Sequence, residues 1–191
     1  MGTPADIRIL AIGGSTRPQS SSERALEVAA VAAESAGATV IRITGRDLML
    51  PIYDTESPER TTAAQHLVDQ ARLADGVLVA SPGYHGGISG MMKNALDYLE
   101  DLAGDNRPYL DGRAVGCIAV AYGWQATVST LHQLRQVVHA LRGWPTHLGG
   151  VVNAQLTKIN VDGTSTDNAT LEALQTIGRQ VVQFARLTRQ S

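Results

Sequence analysis

VLVASPGYHGGISGMMKNALDYL, residues 77–99, runs from a strand through a glycine-rich loop into a helix. The apolar strand run ends at Ser81-Pro82, and a helix is expected to start near Ser89, a residue able to cap it. In an open parallel sheet, ligands sit outside the carboxyl ends of the strands, where loops of this kind lie. Gly83, Gly86 and Gly87 lack a Cβ, so their backbone can come close to a flat ligand and present N–H groups to it. Tyr84 and His85 are placed to pack on such a ligand or to line its entry. The alternative is a tight strand-to-helix turn that needs glycine for its own sake.

Working outward, strands and helices alternate. Ile7 to Ile12 is a near-continuous apolar run, as expected of a strand covered on both faces. An alanine-rich helix follows over about Ser22 to Ser35, with Gly37 as its stop. Val40 to Ile43 reads as a second strand, and Asp47 to Pro58 as an irregular excursion containing Pro51 and Pro58. Ala63 to Ala74 is helical by spacing, and Gly76 opens the third strand. Ala103 to Gly112 is a turn-rich connection. Ala114 to Ala121 is a fourth strand, with Tyr122 to Gln125 its exit loop. The spacing of Val128, Leu131, Leu134, Val138 and Leu141 predicts a helix over Thr127 to Leu141. A fifth strand lies within Pro145 to Val152, and a last helix over Asn168 to Thr188. This alternation argues a doubly wound α/β domain, a parallel sheet with helices on both faces, spanning residues 1–191.

Composition narrows the function. The 191 residues are 43% hydrophobic and 18% charged, with a net charge of -2, which suits a globular chain rather than a disordered one. No basic run marks a nucleic-acid surface. No apolar stretch reaches the roughly 18 residues of a membrane span, and the N-terminus has no signal-peptide core. The single cysteine, Cys117, excludes an internal disulfide framework and fits a reducing cytoplasm. A cytoplasmic protein without nucleic-acid or membrane partners is expected.

Two further loops carry chemistry. GGSTRPQSSSER, residues 13–24, places Ser15, Ser20, Ser21 and Ser22 with Arg17 at the start of a helix. Unsatisfied N–H groups and the positive dipole end favour an anion there, and Arg17 adds a charged fork. The loop is neither a Walker A motif nor G-x-G-x-x-G. A hydroxyl-rich cradle with one cation suits a terminal phosphate monoester; the plainer alternative is a polar loop whose serines only cap the helix. In the third loop, Tyr122 to Gln125, the aromatics Tyr122 and Trp124 beside Gly123 suit the neighbourhood of a flat heterocycle, and equally core or interface packing. Cys117 lies inside a strand with no C-x₅-R after it, so it reads as a small buried hydrophobe. No His/Cys/Asp/Glu spacing suggests a metal site, and no Ser/His/Asp set a nucleophile.

GGSTRPQSSSERAL and SPGYHGGISGMMKNALDYL together resemble the NAD(P)H-dependent FMN reductase family. Gly14, Ser15, Arg17, Ser20 and Ser22 match its first motif. Ser81, Pro82, Tyr84, Gly86, Gly90, Lys93, Asn94, Ala95 and Asp97 match its second, while Gly83, His85, Gly87 and Ser89 stand where Glu, Asn, Ser and Pro are usual. The resemblance implies a flavodoxin-like three-layer αβα fold with a five-stranded parallel sheet of order 2-1-3-4-5. It implies FMN, its phosphate held by Ser15, Arg17, Ser20, Ser21 and Ser22. The ring would lie along Pro82, Gly83, Tyr84, His85, Gly86 and Gly87 and be closed over by Gly123 and Trp124. NADPH or NADH would pass hydride to the flavin, so no catalytic side chain is expected, because the cofactor carries the chemistry. The acceptor would be a small molecule: free flavin, a quinone, an azo compound or a metal oxyanion. A flavin-dependent monooxygenase is a candidate partner. The other readings are a flavodoxin-like FMN-binding electron carrier without NAD(P)H turnover and a degenerate nucleotide-binding sensor. Met91 and Tyr98 widen the apolar stripe of the helix after Ser89, and the helix from Thr127 is similarly broad. Both arcs suggest a covered face and a homodimer or homotetramer.

Overall fold

The computed structural model describes residues 6–189; the outermost residues of the 1–191 domain expectation lie outside them. Parallel strands β1 (Ile7–Gly13), β2 (Ala38–Thr44), β3 (Gly76–Tyr84) and β5 (Ala114–Ala121) form the sheet in the order β2-β1-β3-β5. Its fifth position is shared by β6 (Trp144–Pro145) and β7 (Gly150–Asn153), both parallel to β5. With these two counted as halves of one strand, and the side hairpin strand β4 (Gly87–Ile88) set apart, the order is the expected 2-1-3-4-5.

Alternate strand residues feed two cores, as the period of 2 requires. Leu10, Ile12, Val77, Val79, Val115 and Cys117 pack against α2 (Thr62–Leu73), α3 (Gly90–Asp97) and α4 (Trp124–Ala140). On the other face Ile9, Ala11, Leu78, Ala80, Ile118 and Val120 meet α1 (Ser21–Ser35) and α5 (Asn168–Arg189). Helices therefore cover both faces. Burial pushes the Cys117 thiol up to about 12, which makes it the inert hydrophobe its strand position suggested.

Four local expectations are corrected. The third strand does not stop at Ser81: β3 continues to Tyr84 and folds back as β4, pairing Gly83 with Ile88 and Tyr84 with Gly87. His85 and Gly86, at φ 52° and 84°, make the two-residue turn that matches hairpin twist. Helix α4 begins at Trp124, three residues earlier than its apolar spacing indicated, because Gly123 at φ 95° turns the chain straight into the helix. Its apolar stripe is narrower than read: Leu131, Leu134 and Val138 are buried, but Val128 is exposed. The fifth strand is broken between Pro145 and Gly150.

The broad arc of α3 has a covering within the chain. Tyr98 is buried, donates its hydroxyl to the Pro51 carbonyl at 3.0 Å, and meets Tyr53 edge-on at 5.2 Å. Asn94 pins the same excursion, donating to the Pro51 carbonyl at 2.8 Å and accepting the Tyr53 N–H at 2.8 Å. Arg60 closes it with a two-pronged pair to Asp101, at 2.7 and 2.9 Å. Tyr98 therefore gives no reason for a subunit contact. Among the described residues, no helix is long and apolar enough to cross a membrane.

Candidate functional site

β1, β3, β5 and β7 all end at one rim of the sheet, and a cavity of about 260 Å³ opens there. Its lining brings together Ser15, Arg17, Ser20, Ser21 and Ser22 from the first loop with Pro82, Gly83 and Tyr84 from β3. Glycine is required beneath it: a Cβ on Gly13 would stand 2.6 Å from the Ala80 carbonyl oxygen, and Gly14 holds φ 97°. Those two residues carry β1 tightly past β3 and turn the chain out over the rim.

The loop divides its hydroxyls between structure and cavity. Ser20 caps α1, its Oγ accepting the Glu23 N–H at 3.2 Å and lying 3.1 Å from Ser22 Oγ. Ser15 Oγ accepts the Arg17 N–H at 3.2 Å. Of the N–H groups in the first turn of α1, Glu23 is capped by the Ser20 hydroxyl and Arg24 bonds the Ser20 carbonyl. Those of Ser21 and Ser22 remain for an incoming acceptor. The Arg17 guanidinium is exposed and makes no ion pair or hydrogen bond among the described residues. It is the sole charged side chain of the lining, which contains no carboxylate, histidine or cysteine. An uncommitted cation, two uncommitted N–H groups and several hydroxyls suit a singly esterified phosphate. They offer nothing for acid–base work.

Five lining residues fall outside the sequence-based set: Thr16, Val120, Ala121, Tyr122 and Ala154. Tyr122 stood in the third loop and, with Tyr84, forms an exposed aromatic rim. Val120, Ala121 and Ala154 are small or apolar residues at strand ends, with no chemical signature to find. Asn153 had none either, yet its buried side chain accepts the N–H groups of Gly123 and Gln155, each at 3.1 Å. It thereby ties the loops after β5 and β7 together.

The remaining candidates sit elsewhere. Trp124 and Gly86 border a wide apolar groove of about 820 Å³ along α4, with Val128, His132 and Gln133. His85, Gly87 and Gly123 line neither space. The backbone at Gly83 and Gly87 is approached closely by a helix: a Cβ on Gly83 would stand 2.5 Å from Thr130 Oγ1, and one on Gly87 2.6 Å from Gln133 Oε1. Among the described residues no cluster of three His, Cys, Asp or Glu side chains is placed to hold a metal ion.

Sheet order and cleft position define a flavodoxin-like α/β protein. The chain belongs to the NADPH-dependent FMN reductase family, whose sequence profile matches residues 7–156. It is 34% identical over 86 residues to an NADPH azoreductase of Bacillus sp. strain OY1-2, covering 44% of this chain and 45% of that protein. It is 36% identical over 77 residues to an FMN-dependent NADPH-azoreductase of Staphylococcus aureus, covering 40% and 37%. These matches span less than half the length of either relative. Among solved structures it resembles FerB, an NAD(P)H:(acceptor) oxidoreductase of Paracoccus denitrificans, with TM-score 0.72, 22% identity and coverage of 94% and 97%. A WrbA-like flavodoxin of Agrobacterium tumefaciens aligns with TM-score 0.62, 18% identity and coverage of 96% and 99%. These two likenesses concern the fold.

Proposed function

We propose that this chain is an NAD(P)H-dependent FMN oxidoreductase, a single FMN-binding domain over residues 1–191 that works in the cytoplasm as a homodimer. The observation that carries the reading is the cavity, where an unpaired Arg17 and the open N-terminus of α1 face the backbone of Pro82 to Tyr84. In it Arg17, the Ser21 and Ser22 N–H groups and the serine hydroxyls hold the FMN phosphate. Pro82, Gly83 and Tyr84 lie beside the ring. FMN held there would supply the redox chemistry, carrying electrons from NADPH or NADH to a small-molecule acceptor. The residues contribute binding, orientation and an open rim, while the cofactor carries the chemistry. Two relatives are named azoreductases, so an azo compound is the first acceptor to try, before quinones, free flavin and metal oxyanions. A second copy covers the exposed Trp124 and Val128 of α4.

The test is a visible spectrum of the purified protein loaded with FMN and freed of excess, then exposed anaerobically to NADPH and to NADH. Flavin bands that bleach are expected, and the faster donor is the preferred one. Bands that persist with both donors would make the protein an electron carrier. A protein that neither retains FMN nor turns over free FMN would overturn the reading.

A further inference from the structure

The β3–β4 hairpin borders the proposed flavin site, yet little within it fixes its position. Its ladder is two residue pairs long, and its turn holds His85 in the left-handed region at φ 52°, where a residue with a Cβ is disfavoured. Two-stranded ribbons of this size do not stand alone. Ser81 Oγ closes the hairpin's base by accepting the Ser89 N–H at 3.0 Å, and the rest of the support comes from α4. Gln133 Oε1 accepts the Ile88 N–H at 2.6 Å and occupies the notch left by the missing side chain of Gly87, 2.6 Å from where its Cβ would be. One turn earlier Thr130 donates to the Gly87 carbonyl at 3.4 Å and fills the corresponding notch at Gly83. Residues three apart share a helix face, so a single face of α4 grips both strands of the hairpin.

We propose that Gln133 is a positioning residue for the flavin ring. By anchoring Gly87 and Ile88, the strand partners of Tyr84 and Gly83, it sets where Gly83 and Tyr84 present their backbone to the cavity, while touching no part of the cofactor itself. This explains the pairing of two departures from the family pattern, glycine at 83 and glycine at 87. Each makes room for an α4 side chain that does the holding. Gln133 also borders the α4 groove with Gly86, so whatever covers that groove contacts the back of the hairpin. The inference rests on the reading that FMN occupies the cavity.

The test compares Gln133→Ala and Gln133→Glu with the unmodified protein. Hydrogen exchange of the ligand-free proteins is followed over residues 82–90, and FMN and riboflavin are titrated into each. Because the anchor acts on the ring, Gln133→Ala is expected to weaken both flavins equally, by about fivefold to tenfold, the size of one lost hydrogen bond. It should also speed exchange in the hairpin and shift the bound-flavin absorption bands. Gln133→Glu keeps an acceptor at the same reach and should restore all three. Unchanged flavin affinity and spectrum in Gln133→Ala would overturn the inference alone, whatever the exchange shows. An unmodified protein that binds neither flavin would overturn the cofactor reading and the inference with it.

Discussion

Arg17 is an exposed guanidinium on a loop whose neighbouring hydroxyls already have work. Ser20 is committed to the cap of α1 and Ser15 to the Arg17 N–H, which leaves Arg17 as the main electrostatic determinant of an anion's affinity. Arg17→Ala should therefore cost FMN about 1.5–3 kcal/mol of binding, the worth of a charge-assisted hydrogen bond, and leave riboflavin almost unaffected. Isothermal titration with the two ligands checks this, and equal losses would assign the loop another role. Sequence alone pointed to an anion at Ser15 to Ser22 but not to how these residues would share the task, because cap and ligand contact use the same residue types. It also read Gly83 and Gly87 as openings toward a ligand. The neighbours they make room for, Thr130 and Gln133, lie more than forty residues away in the chain, beyond the reach of any local pattern. Matching residues of the second motif turn out to be structural: Asn94 staples the excursion at Pro51 and Tyr53, and Lys93 pairs with Asp97 across one helical turn at 2.5 Å.

Element boundaries were legible where hydrophobic periodicity and punctuation agree. α1 ends as Gly37 indicated, and Ser89 caps α3 by accepting the Met92 N–H at 3.2 Å. They were illegible where tertiary contact decides, as in the run of β3 to Tyr84 and the broken fifth strand. Two elements make quantitative tests. α5 crosses α1 at Gly178, where a Cβ would fall against the Ala29 carbonyl oxygen, well inside contact distance. Gly178→Ala must push the helices apart, and a loss of about 2–3 kcal/mol, typical of overpacking, is expected in urea unfolding. A variant as stable as the parent would mean that the helices separate freely. The excursion over α3 depends on charge. The Arg60 guanidinium beside Asp101 holds its carboxyl below the ordinary carboxylate range. The unfolded chain then binds more protons in acid, so this stability is present above about pH 3.9 and lost as pH falls through the depressed folded value. Asp101→Asn should cost about 1–2 kcal/mol at pH 7, given a partly buried two-pronged pair. Its deficit should shrink as pH falls through that depressed value; a deficit independent of pH would show that packing, not charge, holds the segment.

At the scale of the whole molecule, the alternation of apolar runs and amphipathic helices pointed to a parallel sheet covered on both faces, while the strand order came from the family resemblance and is the one the sheet shows. What alternation does not reveal is which helix keeps an apolar face uncovered. α3 was one candidate and is roofed by its own chain. α4 is the other: Trp124 is 51% and Val128 45% exposed, beside a groove that reaches Gly86 on the hairpin. Large apolar side chains clustered this way mark association surfaces, and α4 is where a second copy of this chain would pack. Val128 is the residue to change, since it lines the groove and contributes nothing to the buried core. Val128→Glu would bury an unpaired charge in each half of a symmetric contact, a cost of several kcal/mol. The dimer should weaken by at least roughly a hundredfold, about 2.7 kcal/mol, giving a folded monomer by light scattering at micromolar concentration. FMN binding through Arg17 should survive in that monomer, because the phosphate cradle lies within one chain. Loss of FMN together with dimerisation would instead show that the cleft is completed across the interface, and a parent protein already monomeric would remove α4 as a subunit contact.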